Sequence, residues 1–331
     1  MDGTRPRAPR SKPQLQAAIR SGGRAVLVVN ARSRRGRRLL DRARELLDAA
    51  GIEFVREFPV TDPGRLGEIF ADVLALEPDL VVVGGGDGTV AEAVSHLAHR
   101  DVALGVLPLG TTNNFARSLE LPLNLADAVA VLRDGKVADV DVGWVQGTRP
   151  DGSGPEPDGG RHIFANMVSL GLSVQIAEHV PHGLKRVAGR AAYALTAAWL
   201  LPRHTAFRAT IRAGDRVEEV VTHQLNVANG AHHSGRRIAR DASPDDRLLA
   251  VYRLGDERRL RLASATARHQ LTGPRRSLRE DAFLTTDEVH IATDLPMPVD
   301  VDGEVRGRTP VTVRLLGNAL RVIVPQSFVD T

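Results

Sequence analysis

Three short stretches of this 331-residue chain combine residue types that do chemistry. The first is Gly84-Gly85-Gly86-Asp87-Gly88-Thr89, directly after the apolar run Asp79–Val83. Adjacent glycines let backbone N–H groups approach phosphate oxygens, and a helix starting behind them adds positive potential. A tight strand-to-helix turn would explain one glycine, but not four with an acid among them. The second stretch is Pro108-Leu109-Gly110-Thr111-Thr112-Asn113-Asn114-Phe115-Ala116-Arg117. Its Gly, Thr and Asn residues suit a helix start and offer hydroxyl and amide groups to a ligand. The third is Val301-Asp302-Gly303-Glu304, where two carboxylates flank a glycine. Two readings stay open there: an exposed hairpin turn, or a general base at Glu304.

Other familiar motifs fail. A dinucleotide fingerprint would need glycine at position 89, where Thr89 stands, and the one Gly-Lys pair, Gly135-Lys136, runs into Val137 instead of Ser or Thr. His99-Arg100-Asp101 imitates a protein-kinase catalytic loop, but Val106 occupies the position of its metal-binding Asn. The chain has no cysteine, which excludes disulfides, Cys zinc sites and Cys nucleophiles and fits a cytosolic protein. His232-His233 reads as a surface pair on a loop.

The elements that must position these stretches alternate through the first half. Arg24–Asn30 reads as a buried strand, 35–50 as a helix stopped by Gly51, 52–58 as a second strand and 63–76 as a helix. Asp79–Val83, a helix at 89–98 and strand Val102–Leu107 follow, so βαβ units and a parallel sheet are expected. Both glycine-rich loops then fall at the carboxyl ends of consecutive strands, the ligand-binding edge of open α/β sheets. After residue 137 the texture changes. Residues 137–147 alternate, 148–161 is a Gly/Pro/Asp loop, and one helix near 184–201 precedes strands at 205–213, 217–228, 248–254, 287–293, 298–302 and 310–324.

Charge divides unevenly. Residues 1–23 hold five basic residues (Arg5, Arg7, Arg10, Lys12, Arg20) against Asp2, which equals the chain's whole net charge of +4. Such a Pro-containing basic tail is expected to be disordered, with a weak anchor to anionic lipid or nucleic acid as the alternative. No apolar run reaches the roughly 20 residues of a membrane helix, and the opening residues lack the apolar core of a secretory signal. Leu195–Leu201, with Trp199, reads as a helix packed into the core or touching lipid. Arginines 253, 258, 259, 261, 268, 275, 276 and 279 read as a solvated face or as a patch for an anionic membrane surface.

Together GGGDGT at 84–89, PLGTTNNFAR at 108–117 and VDGE at 301–304 resemble the diacylglycerol kinase catalytic family, which includes bacterial lipid kinases and sphingosine kinases. GGDGT is shared with NAD kinases, whereas the GTxNNFAR element is not. The resemblance spans residues 24 to 323. It implies an α/β N-terminal domain with a parallel sheet, of the NAD kinase/diacylglycerol kinase kind, plus a β-rich second domain. The expected boundaries are 1–23 disordered basic tail, 24–141 nucleotide-binding domain, 142–323 lipid-substrate domain and 324–331 C-terminal tail.

Residue by residue, the resemblance implies an ATP site with Mg²⁺. Asn30, Ser33, Arg35 and Gly36 match the first nucleotide loop, with Ala31 in place of its Pro and Arg34 in place of a Gly. Thr61 and Thr111 match nucleotide contacts, Gly84, Gly85, Gly86, Gly88 and Thr89 the phosphate loop, and Asn113 and Asn114 its partner loop. Asp87 and Asp141 are matched to Mg²⁺ organisation. RRIARDASPDDRLLAV at 236–251 is similar to a structural-metal segment, with Asp246 as side-chain ligand and carbonyls from Ser243 and Leu248; Arg247 replaces a Gly and Ala250 an Asp. Glu304 matches the general base. The implied function is phosphorylation of diacylglycerol or a similar lipid alcohol. The implied partners are a lipid substrate and, transiently, an anionic membrane surface. No nucleic acid is expected, a homodimer is left open, and the setting is cytoplasmic or peripheral at the inner membrane face. Two rival readings stand beside it: an NAD kinase-like enzyme, and a non-catalytic nucleotide- or lipid-binding homologue.

Overall fold

A computed structural model describes residues 9–31, 34–149, 160–180, 196, 199–200, 204–229, 232–233, 236–237, 245–254 and 283–330. The chain divides into two units, Met1–Val142 with Pro244–Asp246 and Gly317–Thr331, and Gly143–Ser243 with Arg247–Leu316.

The first unit is a parallel sheet with helices on both faces. Strands β1 (Ala25–Asn30), β2 (Arg56–Val60), β3 (Leu80–Gly85) and β4 (Ala103–Pro108) are joined by the last residues of the long strand β17 (Glu304–Val324), in the order β2-β1-β3-β4-β17. All these pairs are parallel. β3 and β4 are buried along their whole length, as continuous apolar runs covered on two faces must be. Helices α2 (Arg34–Ala49) and α6 (Leu125–Asp134) pack together, as do α3 (Leu66–Ala75) and α4 (Asp87–Leu97). α5 (Asn114–Ser118) packs on α4. The second strand lies at Arg56–Val60 and not at the expected 52–58. The register, from Val26 opposite Arg56 to Asn30 opposite Val60, explains the shift. β2 is the edge strand, where Pro59 and its missing N–H are tolerated.

The expectation of a disordered tail over 1–23 is corrected from residue 9 onward. Lys12–Arg20 forms helix α1, started by a capping box between Ser11 and Gln14 with Pro13 in the first turn. Its Leu15 is fully buried in the apolar layer that includes Leu27, Leu47 and Ala128. The tail's charges are also engaged. Arg10 donates from Nε to Asp101 Oδ2 at 2.7 Å and from Nη1 to Asp79 Oδ1 at 2.5 Å. Arg321 reaches Asp101 at 2.6 Å, and Lys12 pairs with Asp330 at 2.8 Å. A disordered reading rests on composition, and composition is blind to partners 69 to 318 residues away.

The second unit is an antiparallel sandwich. One layer runs β14 (Leu284–Thr286), β13 (Leu249–Leu254), β10 (Gln224–Ala228), β7 (Met167–Gly171) and β16 (Pro298–Val301) into β17. The other brings β15 (Glu288–Thr293) between β17 and β8 (Phe207–Ala213), which pairs with β9 (Arg216–Thr222). β5 (Lys136–Thr148) pairs with β6 (Arg161–Phe164). Val168, Leu170, Leu225 and Val251 face Phe207, Ile211, Val289 and Val313 in one core. The strand expected at 217–228 breaks at His223, because β9 pairs with β8 whereas β10 lies between β7 and β13. His232–His233 and Arg236–Arg237 form a two-residue ribbon, β11 and β12, rather than a loop. Helix α7 (Leu172–His179) follows β7. Most of the helix expected at 184–201 lies outside the described residues. Within Leu195–Leu201, Leu200 is buried and Trp199 is 54% exposed. No helix of the described residues is long and apolar enough to cross a membrane.

Two outcomes test the anchored N-terminus. Leu15→Ala should cost about 2–5 kcal/mol in urea unfolding at unchanged m-value, as a fully buried leucine does, and removing residues 1–23 should lower the melting temperature. Burial by itself would raise the Asp101 pKa, but hydrogen bonds from Arg10 and the charges of Arg10 and Arg321 outweigh it and hold the carboxyl below its usual range. The folded value is depressed, so this contribution is present above the unfolded pKa of about 4 and is lost as pH falls through the folded value. The stability gap between wild type and Asp101→Asn should therefore be wider at about pH 6 than at about pH 3. A gap that does not narrow contradicts the assignment.

Candidate nucleotide site

The strand order places a chain reversal between β1 and β3. From β1 the chain goes to β2 on one side, then returns to β3 on the other. Ligands in open α/β sheets bind at the carboxyl edge of such a switch point. Asn30 ends β1, Thr61 follows β2 and is exposed, Gly84–Thr89 runs from the last two residues of β3 into the start of α4, and Gly110–Asn114 follows β4. All of them sit on that one edge. Gly36 and Arg35 lie in the first turn of α2, and Ser33 lies outside the described residues.

The loop after β3 closes faster than the sequence suggests. Gly86 is the N-cap of α4 and Asp87 already its first residue, two positions before the expected start. The first-turn amides of α4 have no intrahelical acceptor and point out of the helix end. Each glycine is there for its own reason. A Cβ on Gly84 would meet Leu109 and Val29 at 3.0 Å, and one on Gly85 would meet Thr89 at 2.7 Å. A Cβ on Gly110 would lie 2.4 Å from the Gly86 Cα. Gly84 and Gly110 serve packing between the two loops, and Gly85 serves packing of β3 against its own helix start. Gly88 is exposed, and a Cβ there would meet nothing within 4 Å.

Side chains then tie the loops together. Asp87 accepts the Thr112 hydroxyl on Oδ2 at 2.6 Å and the Phe115 N–H on Oδ1 at 3.3 Å. Thr112 is a site residue that sequence reasoning missed; its signal was the second Thr of Gly-Thr-Thr-Asn, beside the one matched to ATP. Asn113 is buried in a left-handed conformation with φ +50°. Its Oδ1 accepts the Gly110 N–H at 2.9 Å, and its Nδ2 donates to the carbonyls of Gly110 and Pro108. The Asn113 amide therefore shapes the loop from within. Thr111 is exposed, and Asn114 opens α5.

The donor set suits a hard cation at Asp87. A carboxylate offers about four acceptor positions, and two protein donors leave room for a cation or its waters. Mg²⁺ typically takes one or two carboxylates and completes its shell with water and phosphate oxygens. Asp141, on β5, is fully buried and accepts the Asn318 N–H at 2.8 Å. Among the described residues, no group of three His, Asp or Glu side chains is arranged to hold a metal. At the expected structural-metal segment, Ser243 lies outside the described residues and Leu248 is exposed. Arg247 has φ +58°, a left-handed backbone that glycine adopts without cost. Arg253, from the arginine-rich set, packs over the Phe283 ring at 4.9 Å; the set's remaining members lie outside the described residues.

Val301-Asp302-Gly303-Glu304 is a hairpin turn between β16 and β17, in the second unit. Val301 is opposite Glu304, and Asp302 and Gly303 have φ +50° and +99°. Glu304 is exposed and paired with Arg306 at 2.5 Å. Asp302 behaves differently. Its carboxylate accepts the N–H groups of Ala165 at 2.6 Å, Asn166 at 3.0 Å and Met167 at 2.9 Å. Burial pushes its pKa up to about 6, against those three donors and with the help of the Asp300 charge.

The glycines separate packing from ligand access by experiment. Gly110→Ala should lower the melting temperature, because its Cβ collides with the backbone of Gly86. Gly88→Ala should change the unfolding free energy by no more than about 1 kcal/mol while weakening nucleotide binding in calorimetry. Full affinity in Gly88→Ala would move the ligand off this helix start.

Both regions of the chain match known protein families. The family model described as "Diacylglycerol kinase catalytic domain" matches residues 24–145. The one described as "YegS C-terminal NAD kinase beta sandwich-like domain" matches residues 166–324. "Putative lipid kinase SH2167" of Staphylococcus haemolyticus (strain JCSC1435) is 31% identical over 254 residues, 74% of this chain and 76% of that protein. A "Putative lipid kinase" of Staphylococcus carnosus (strain TM300) is 27% identical over 249 residues, with the same coverage. A solved structure described as "A putative diacylglycerol kinase from Bacillus anthracis str. Sterne" matches with a TM-score of 0.71 at 25% identity, over 93% of this chain and 99% of its own. With that identity to a lipid-kinase relative, and with both domains matched in order, the chain belongs to the diacylglycerol kinase catalytic family.

Proposed function

We propose that the protein is an ATP-dependent lipid kinase that phosphorylates a hydroxyl of diacylglycerol or a related lipid alcohol. The observation that carries this reading is the union of the two strand-end loops through Asp87 and Thr112 at the switch point, in a member of this family. The amides at the start of α4 bind the phosphate chain. Asn30, Thr61, Thr111 and Asn114 contact the nucleotide from the neighbouring strand ends. Thr112 and the Phe115 N–H hold the Asp87 carboxylate in one orientation. Mg²⁺, held by Asp87 with water and phosphate oxygens, would supply positive charge to the transferring group. Glu304 takes the proton from the lipid hydroxyl, whose oxygen forms the new bond to the γ-phosphorus, and the bond to the departing ADP oxygen breaks. The protein's share of the catalysis is positioning and electrostatics, the usual burden of phosphoryl transfer. The structural metal at Asp246, Ser243 and Leu248 and the Mg²⁺ role of Asp141 rest on the sequence match alone. Contact with an anionic membrane surface is supported by the arginine-rich sequence between 253 and 279.

The test is transfer of labelled γ-phosphate to a panel of lipid alcohols and to NAD. Lipid phosphorylation is expected; labelled NAD alone would make the protein an NAD kinase, and no transfer to any acceptor would make it a binding protein. Glu304→Gln should lower turnover by about 10²–10⁴-fold with ATP affinity unchanged. Asp87→Asn should lose most of its turnover at a near-normal melting temperature. A melting shift in proportion to the activity lost would make Asp87 a structural residue.

A further inference from the structure

The two carboxylates of Val301-Asp302-Gly303-Glu304 do different work, and this inference rests on the reading of Glu304 as the base. We propose that Asp302 is a positioning residue, whose carboxylate latches the hairpin tip carrying Glu304 onto the backbone of Ala165–Met167.

Three consecutive N–H groups, from Ala165, Asn166 and Met167, converge on Asp302, two on Oδ1 and one on Oδ2. Consecutive amides aimed at one point form an anion-binding concavity, and here the chain fills it with its own side chain. The backbone adds a fourth link, from the Asp302 N–H to the Met167 carbonyl at 3.0 Å. The receiving segment is itself braced. Asn229 donates from Nδ2 to the Ala165 carbonyl at 3.2 Å and from its N–H to the Asn166 carbonyl at 2.9 Å. On the hairpin side, the Gly303 N–H bonds Asp300 Oδ1 at 3.0 Å. Only two residues separate the paired positions Val301 and Glu304, so fixing Asp302 fixes where the first residue of β17 starts.

The same geometry removes Asp302 as a rival base. Its carboxylate already accepts three backbone amides, two on Oδ1 and one on Oδ2, and protonation at either oxygen weakens the bonds that hold the turn. Glu304 carries no such set of donors, is exposed, and pairs with Arg306 at the surface. A base must be open to the lipid hydroxyl, and of the two carboxylates Glu304 is the exposed one.

The test uses the full chain and two independent readouts. Asp302→Asn preserves the shape but turns one acceptor oxygen into a donor that faces an amide. It should speed hydrogen exchange at Ala165–Met167 and lower kcat by about tenfold or more, the worth of one charged hydrogen bond, with the KM for ATP unchanged. Glu304→Gln should lose turnover and keep those amides protected. Wild-type kcat in Asp302→Asn, or unchanged exchange at 165–167, overturns the proposal while leaving the kinase reading standing. A wild-type protein inactive on every lipid alcohol overturns the kinase reading and the catalytic half of this one; the exchange readout still decides whether the latch exists. Should Asp302→Asn not fold, Gly303→Ala serves instead. With φ +99° and no neighbour within 4 Å of a new Cβ, it strains the same turn without steric conflict, and wild-type kcat there overturns the proposal.

Discussion

The first unit depends on one close approach, the backbone of Gly86 against the backbone of Gly110. A single Cβ on Gly110 would lie 2.4 Å from the Gly86 Cα, a separation that real atoms do not adopt. Because that contact is made by backbone alone, the loop after β3 and the loop after β4 can meet. Once they meet, Thr112 and the Phe115 N–H fall within reach of Asp87, and the start of α4 opens beside them. The four glycines are therefore not one feature. Gly84, Gly85 and Gly110 allow packing, while Gly88 is left open at the helix start.

Opposite edges of the parallel sheet are specialised. Asp79 and Asp101 precede β3 and β4, at the amino edge, and there Arg10 and Arg321 bind them in a network of short, half-buried ion pairs. Arg10 and Asp101 share three hydrogen bonds, one through the backbone of each residue, so the pair is fixed in geometry and gains more than isolated surface pairs do. The carboxyl edge has the reverse character. Its glycines, hydroxyls and first-turn amides are arranged to receive charge rather than to cancel it. Stability gathered at one edge leaves the other free for chemistry.

The second unit handles its carboxylates by the same logic. Asp302 accepts three backbone N–H groups, whereas Glu304 is exposed and pairs with Arg306. Two residues apart on one hairpin, they face environments that separate an anchoring group from an accessible one. A turn with two left-handed residues makes this division, because it points neighbouring side chains in different directions within four residues.

The sequence by itself determined the fold class, both glycine-rich loops and their place at strand ends. Those are local properties, set by apolar runs, alternation and the glycine content of neighbouring residues. It determined the VDGE stretch only as a choice between a turn and a base, and the turn is what the backbone shows. Tertiary structure decided the rest. The N-terminal segment reads as solvated chain until Leu15 meets the layer of Leu27 and Leu47, and Arg10 meets Asp79 and Asp101. The strand at 56–60 slides from its expected place because its partner strand, not its own alternation, sets the register. Thr112 and Asp302 gain their roles from Asp87 and from the Ala165–Met167 backbone, 25 and more than 130 residues away. Hydrogen bonds between such distant positions depend on how the chain packs, and no spacing within the sequence encodes that packing.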